Sequence, residues 1–102
     1  METSEGQWIS AEPIPGTILV NIGDVIELVT SGRLRATNHR VMLPTSERAR
    51  NTARQSMAFF VQPDEGTLVA PLDGDTRYQP MDFTSFIEEK FATVYPTYQT
   101  FS

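Results

Sequence analysis

Apolar positions along this chain fall into short bursts separated by turn chemistry, with one helical stripe near the end. Thr17 to Ile22 (Thr-Ile-Leu-Val-Asn-Ile) is β-branched and aliphatic over six residues, a length that suits a buried strand and is short for a helix. Pro13-Ile14-Pro15-Gly16 precedes it as a turn, because two fixed proline φ angles and a glycine cannot continue a ladder. Asp24, with Glu27 three residues on, reads as the cap of a short helical stretch through Val29 that Ser31-Gly32 stops. Leu34 to Leu43 reads as a second strand closed by Pro44, Thr45 to Ala53 as a polar connecting loop, and Arg54 to Val61 as a third strand. Pro63-Asp64-Glu65-Gly66 turns the chain into a short strand at Thr67 to Ala70, and Asp73-Gly74-Asp75 turns it again. Residues 82 to 93 predict the one full helix: Phe83, Phe86, Ile87 and Phe91 line one stripe, with Ser85 and Glu88 as a candidate cap. Strands first and a helix last predict a mainly β fold, an antiparallel sheet with a helix packed outside.

Composition bounds what such a fold can do. At 102 residues the chain is expected to hold one domain with a modest core. The polar residues 1–7 read as a disordered or remnant N-terminal segment, with order beginning near Trp8. No apolar run approaches the roughly 18 residues that cross a bilayer, so no membrane partner is expected. Zero cysteines remove disulfide scaffolds, zinc knuckles, iron–sulfur clusters and thiol nucleophiles together. With no export segment and no Asn-x-Ser/Thr acceptor, the expected location is cytoplasmic. The single histidine, His39, means that no site with two imidazoles can be built from one copy.

Charge is unevenly placed. Residues 1–32 carry five acids and no base, residues 33–54 six arginines and Glu47, and residues 55–102 seven acids and two bases. A net charge of -5 around one arginine block argues against a nucleic-acid partner, which calls for a broadly basic domain, and for a small anion. Arginine, unlike lysine, offers a planar fork that matches a carboxylate. Arg33, Arg35, Arg48 and Arg50 read as solvated surface charges. Asp73-Gly74-Asp75 lacks the ligand spacing of a calcium loop and reads as a plain turn.

Two positions carry chemistry. Period-two alternation puts Arg35, Thr37, His39, Val41 and Leu43 on one face of the second strand, where an imidazole reads first as a hydrogen-bonded structural histidine and second as a metal ligand. Arg54 and Ser56 leave the same face of the third strand about 7 Å apart and can converge on one carboxylate. Arg54 is open to another reading, an ion pair with one of the thirteen acids of the chain.

The ordered set Trp8, Pro13-Ile14-Pro15-Gly16, Leu19-Val20-Asn21-Ile22-Gly23-Asp24, Asn38-His39-Arg40-Val41 and Arg54-Gln55-Ser56 resembles the isopenicillin N synthase-like iron(II)/2-oxoglutarate-dependent dioxygenases over about residues 8 to 63. The resemblance implies a partial double-stranded β-helix, or jelly roll, over residues 8–80, with a C-terminal α-helix and tail over 81–102. It implies Fe(II) and 2-oxoglutarate as cofactors, with His39 as one metal ligand and with Arg54 and Ser56 holding the 2-oxoglutarate or a substrate carboxylate. Asp24 then belongs to a structural segment and not to the metal. In the family, the first histidine and the carboxylate lie in a His-x-Asp motif upstream of the tryptophan segment, and this chain is expected to start after it. The expectation is the C-terminal portion of an oxygenase that oxidises a small organic substrate with O2. By itself the chain should be inactive and bind neither cofactor tightly, with the missing N-terminal half or a self-association partner completing it. The competing reading is a non-catalytic β module that binds a carboxylate ligand or a partner protein without metal.

Overall fold

A computed structural model of the chain describes residues 1–95. Its backbone divides into two units, one made of Met1–Leu19 with Thr37–Val61, the other of Val20–Ala36 with the described residues from Gln62.

In the second unit the helical stripe does what its spacing demands. Helix α1 covers Asp24–Val29, and a two-stranded antiparallel ladder joins β1 (Leu68–Val69) to β2 (Met81–Asp82), in the register Leu68 to Asp82 and Val69 to Met81. Helix α3 follows β2 directly, over Phe83–Val94. Phe83 and Phe86 turn inward and bury with Val69, and Val25, Leu28, Val29, Met81 and Ile87 pack around those three. The Phe83 N–H donates to the Thr67 carbonyl at 2.8 Å and the Leu72 N–H to the Val29 carbonyl at 2.9 Å, so strand and loop are tied to the helices through backbone.

The caps differ from the expected ones. Gly23, not Asp24, is the N-cap of α1; Asp24 is the first helical residue, where its charge suits the positive end, and it pairs with Lys90 at 3.2 Å. Glu27 does not reach back to the cap because its carboxylate accepts the Ala36 N–H. The cap of α3 is Asp82, which accepts from the Ser85 N–H at 3.1 Å and the Ser85 hydroxyl at 2.7 Å. At the end of α1 the Gly32 N–H bonds the Glu27 carbonyl and the Ser31 N–H the Leu28 carbonyl, a Schellman arrangement with Ser31 itself at φ 53°. That left-handed serine is buried and its hydroxyl donates to Asp73 Oδ1 at 2.6 Å. Glycine suits position 32 because its φ is 77° and a Cβ would also crowd the Tyr78 hydroxyl at 3.0 Å.

Asp73-Gly74-Asp75 is a turn, and both its acids are used within the unit. Asp73 holds Ser31 and pairs with Arg33 at 3.4 Å, which removes Arg33 from the set of purely solvated charges; Asp75 grips Arg77 at 2.6 Å. The Ser31 hydroxyl holds the Asp73 carboxyl below its ordinary value, the Arg77 guanidinium does so for Asp75, and the Ser85 hydroxyl does so for Asp82. A carboxylate whose folded value is depressed stabilises the fold above its unfolded value and loses that contribution as pH falls through the folded value. The thermal midpoint of this unit is therefore expected to be flat down to about pH 5 and to drop below about pH 4, as followed by circular dichroism.

The first unit opens with a hairpin where polar composition suggested disorder. Glu2 and Trp8 form a bridge, the Thr3 N–H bonds the Gln7 carbonyl at 2.7 Å and the Met1 ammonium bonds the Ile9 carbonyl at 2.9 Å, so backbone groups hold it together. Within the expected loop 45–53, Ser46 caps a single helical turn, α2 (Glu47–Arg50), and Arg50 Nε donates to the Pro44 carbonyl at 2.8 Å.

The larger correction concerns the strands. Thr17–Ile22, Leu34–Leu43 and Arg54–Val61 are not assigned to any ladder; among the described residues the β1–β2 pair is the whole sheet, so these residues show one antiparallel ladder with its helix and not the full jelly roll. Ile18, Val41, Met57 and Phe59 are 81–95% exposed. Among the described residues no backbone-to-backbone hydrogen bond involves residues 53–63. Strand propensity is a preference for a pleated, half-buried surface, and without a neighbour to supply the ladder the propensity has nothing to act on.

Candidate functional site

His39, Arg54 and Ser56 all fall in the first unit, and all three are exposed. The structure does not pair the segments that carry them as adjoining strands, and no hydrogen bond links the three side chains.

Among the described residues the His39 ring makes one hydrogen bond. Its Nδ1 lies 2.9 Å from the Thr37 carbonyl. A carbonyl only accepts, so the neutral ring carries its proton on Nδ1 and its lone pair on Nε2. Nε2 makes no hydrogen bond among the described residues. A backbone carbonyl on one ring nitrogen with a free lone pair on the other is the form in which imidazole ligates a metal. The described residues contain no group of three or more His, Asp or Glu side chains able to hold a metal ion, so the imidazole by itself does not make a metal site.

Arg54 forms no ion pair and no hydrogen bond among the described residues. Other arginines are engaged: Arg33 with Asp73, Arg77 with Asp75, and Arg50 with the Pro44 carbonyl. The Ser56 hydroxyl makes no hydrogen bond among the described residues. A free guanidinium two residues from a free hydroxyl is a donor set for a carboxylate.

Sequence reasoning missed the contacts around His39. The Arg40 guanidinium lies over the Trp8 ring, 4.1 Å from its centroid, and Asn38 exchanges two hydrogen bonds with Glu2. Neither pair has a periodic spacing; the only available signal was the presence of Trp8 and Asn38-His39-Arg40 among the resembling motifs. A shallow depression of about 360 Å³ in the second unit, lined by Leu28, Tyr78, Met81, Phe86 and Lys90 among others, contains none of the three candidate residues.

The sequence pattern of the 2OG-Fe(II) oxygenase superfamily matches residues 1–63. Among curated proteins, 2-oxoglutarate-dependent dioxygenase 11 of Oryza sativa subsp. japonica is 30% identical over 92 residues, covering 85% of this chain and 24% of the relative. Leucoanthocyanidin dioxygenase 1 of Oryza sativa subsp. indica is 31% identical over 93 residues, covering 83% and 24%. 1-Aminocyclopropane-1-carboxylate oxidase 1 of Cucumis melo is 37% identical over 67 residues, covering 66% and 20%. The chain thus spans about a quarter of the length of the relatives it matches. No solved structure matches it.

Proposed function

Because the chain belongs to the 2OG-Fe(II) oxygenase superfamily, we propose that it is the C-terminal portion of an oxygenase that oxidises a small organic substrate with O2. The observation that carries this reading is the state of His39, whose Nδ1–H is held by the Thr37 carbonyl while Nε2 keeps a free lone pair. In this reading His39 supplies one of three iron ligands, and a His-x-Asp segment outside the described residues supplies the others. Ferrous iron, when bound, supplies the means of activating oxygen. Arg54 grips a carboxylate of the keto acid with two parallel N–H donors, and Ser56 adds a third hydrogen bond. The names of the relatives refer to chemically unlike substrates, an aminocyclopropane carboxylate and a leucoanthocyanidin, so only the iron and keto-acid chemistry carries over and the substrate itself does not.

The test is spectroscopic. The chain is combined with a segment bearing His-x-Asp, and iron(II) and 2-oxoglutarate are added without oxygen. The visible charge-transfer absorption of a chelated keto acid is expected from the combination. It should be absent from the chain alone and absent when His39→Ala replaces the native chain. A folded combination without that band would overturn the oxygenase reading.

Arg54 and Ser56, neither of them hydrogen-bonded or ion-paired among the described residues, also fit a second reading, a non-catalytic module that uses them to bind a carboxylate without metal. Calorimetry with small dicarboxylates separates the two: affinity indifferent to iron supports the module, and affinity raised by iron supports the oxygenase.

A further inference from the structure

The residues on both sides of His39 are gripped by the same rung of the N-terminal hairpin. The Glu2 N–H donates to the Asn38 carbonyl at 2.9 Å, and Asn38 Nδ2 donates back to Glu2 Oε2 at 2.8 Å. Across the rung from Glu2 stands Trp8, whose ring carries the Arg40 guanidinium at 4.1 Å. Glu2 and Trp8 are bridge partners, so one hairpin element holds position 38 with two hydrogen bonds and position 40 with a stacked cation, and His39 lies between two restrained neighbours. What is left free at His39 is the side-chain torsions, and the Thr37 carbonyl takes those up by accepting the Nδ1 proton.

We propose that Trp8 and Arg40 are positioning residues that, with Glu2 and Asn38, clamp the backbone around His39 so that its ring is kept in the Nδ1–H form with Nε2 open to a divalent cation. This rests on the reading of His39 as a metal ligand. The planarity of arginine matters, because a guanidinium lies flat on an indole where an ammonium makes only a point contact. Nothing in the clamp requires the metal, so it exists before any ion arrives.

The chain has one histidine and one tryptophan, which makes each an unambiguous probe. In the full 102-residue chain labelled with nitrogen-15, long-range proton–nitrogen spectra at about pH 8, where an ordinary imidazole is neutral, report the tautomer of the single ring. The native chain is expected to show predominantly Nδ1–H. Arg40→Ala and Trp8→Leu are each expected to move the ratio toward Nε2–H by about two- to fivefold, the size of an exposed cation–π contact. Arg40→Lys should restore part of the native ratio and Trp8→Phe most of it, a graded rescue that also covers the case in which the harsher variants fail to fold. Emission of Trp8 reports loss of the stack independently. If Arg40→Ala abolishes the stack by fluorescence and leaves the tautomer ratio unchanged, or if the native chain is already Nε2–H, the clamp is wrong. Mn2+ added to the native chain combined with a segment bearing His-x-Asp then tests the other half: selective broadening of the His39 ring supports ligation. A shifted tautomer ratio in the variants with no broadening in that folded combination retains the clamp and overturns the ligand reading.

Discussion

If Arg54 anchors the keto acid and His39 the iron as proposed, Arg54→Leu is expected to lower the affinity of the completed site for 2-oxoglutarate by about 10²-fold or more and to change iron binding by less than about twofold. The size follows from the donors that are lost. Hydrogen bonds to a charged group contribute roughly 1.5–3 kcal/mol each, and the fork makes two of them, so the loss is at least about 3 kcal/mol, or two powers of ten. Arg54→Lys restores the charge without the fork and should recover only about a tenth of the native affinity. Arg33→Leu is the control, because Arg33 is an exposed residue occupied with Asp73, and its loss should leave carboxylate affinity unchanged. Calorimetry with 2-oxoglutarate, and a separate iron titration, gives both numbers. An Arg54→Leu variant with native keto-acid affinity removes the guanidinium from the site. Equal losses of iron and keto acid would instead mean that Arg54 supports the surrounding structure.

What the chain reveals about itself before folding is local. The stripe Phe83, Phe86, Ile87 is legible because a helix puts those positions on one face, and the first two are buried in the structure. Caps are less legible: Asp82, Ser85 and Glu88 all carry the chemistry of a helix start, and only geometry selects Asp82. Strands are the least so. Val41, Met57 and Phe59 have the residue types of a sheet interior, yet a ladder is a property of two segments, and theirs lacks its partner among the described residues. β2 was invisible for the opposite reason, since the two residues Met81 and Asp82 cannot display alternation. At the site, His39 stood out as the only imidazole, and Arg54 with Ser56 through spacing and resemblance. The Trp8–Arg40 stack and the Ser31–Asp73 bond join residues 32 and 42 apart in sequence, a separation over which no pattern of residue types specifies contact.

The second large effect is on folding. Phe86→Ala is expected to unfold the second unit at room temperature, while Leu72→Ala shifts its stability by less than about 0.5 kcal/mol. Among the described residues Phe86 is one of three buried apolar side chains, together with Val69 and Phe83, and Leu72 is 86% exposed. Removing a buried phenyl ring forfeits its transfer free energy and leaves a cavity, about 3–5 kcal/mol in well-packed cores. A core this small leaves a margin of about the same size, because a short chain buries too little surface to accumulate more. Packing around the ring cannot close the gap cheaply: Phe83 is fixed by its backbone bond to Thr67, Val69 by its pairing with Met81, and both sit at the junction of ladder and helix. Phe86→Leu keeps most of the volume and should retain a cooperative transition at a lower midpoint. Helical circular dichroism and methyl dispersion in the proton spectrum, followed through a guanidinium titration, distinguish these outcomes. A Phe86→Ala chain with the native midpoint would mean that the Val69–Phe83–Phe86 cluster is not what holds α1, β1, β2 and α3 together.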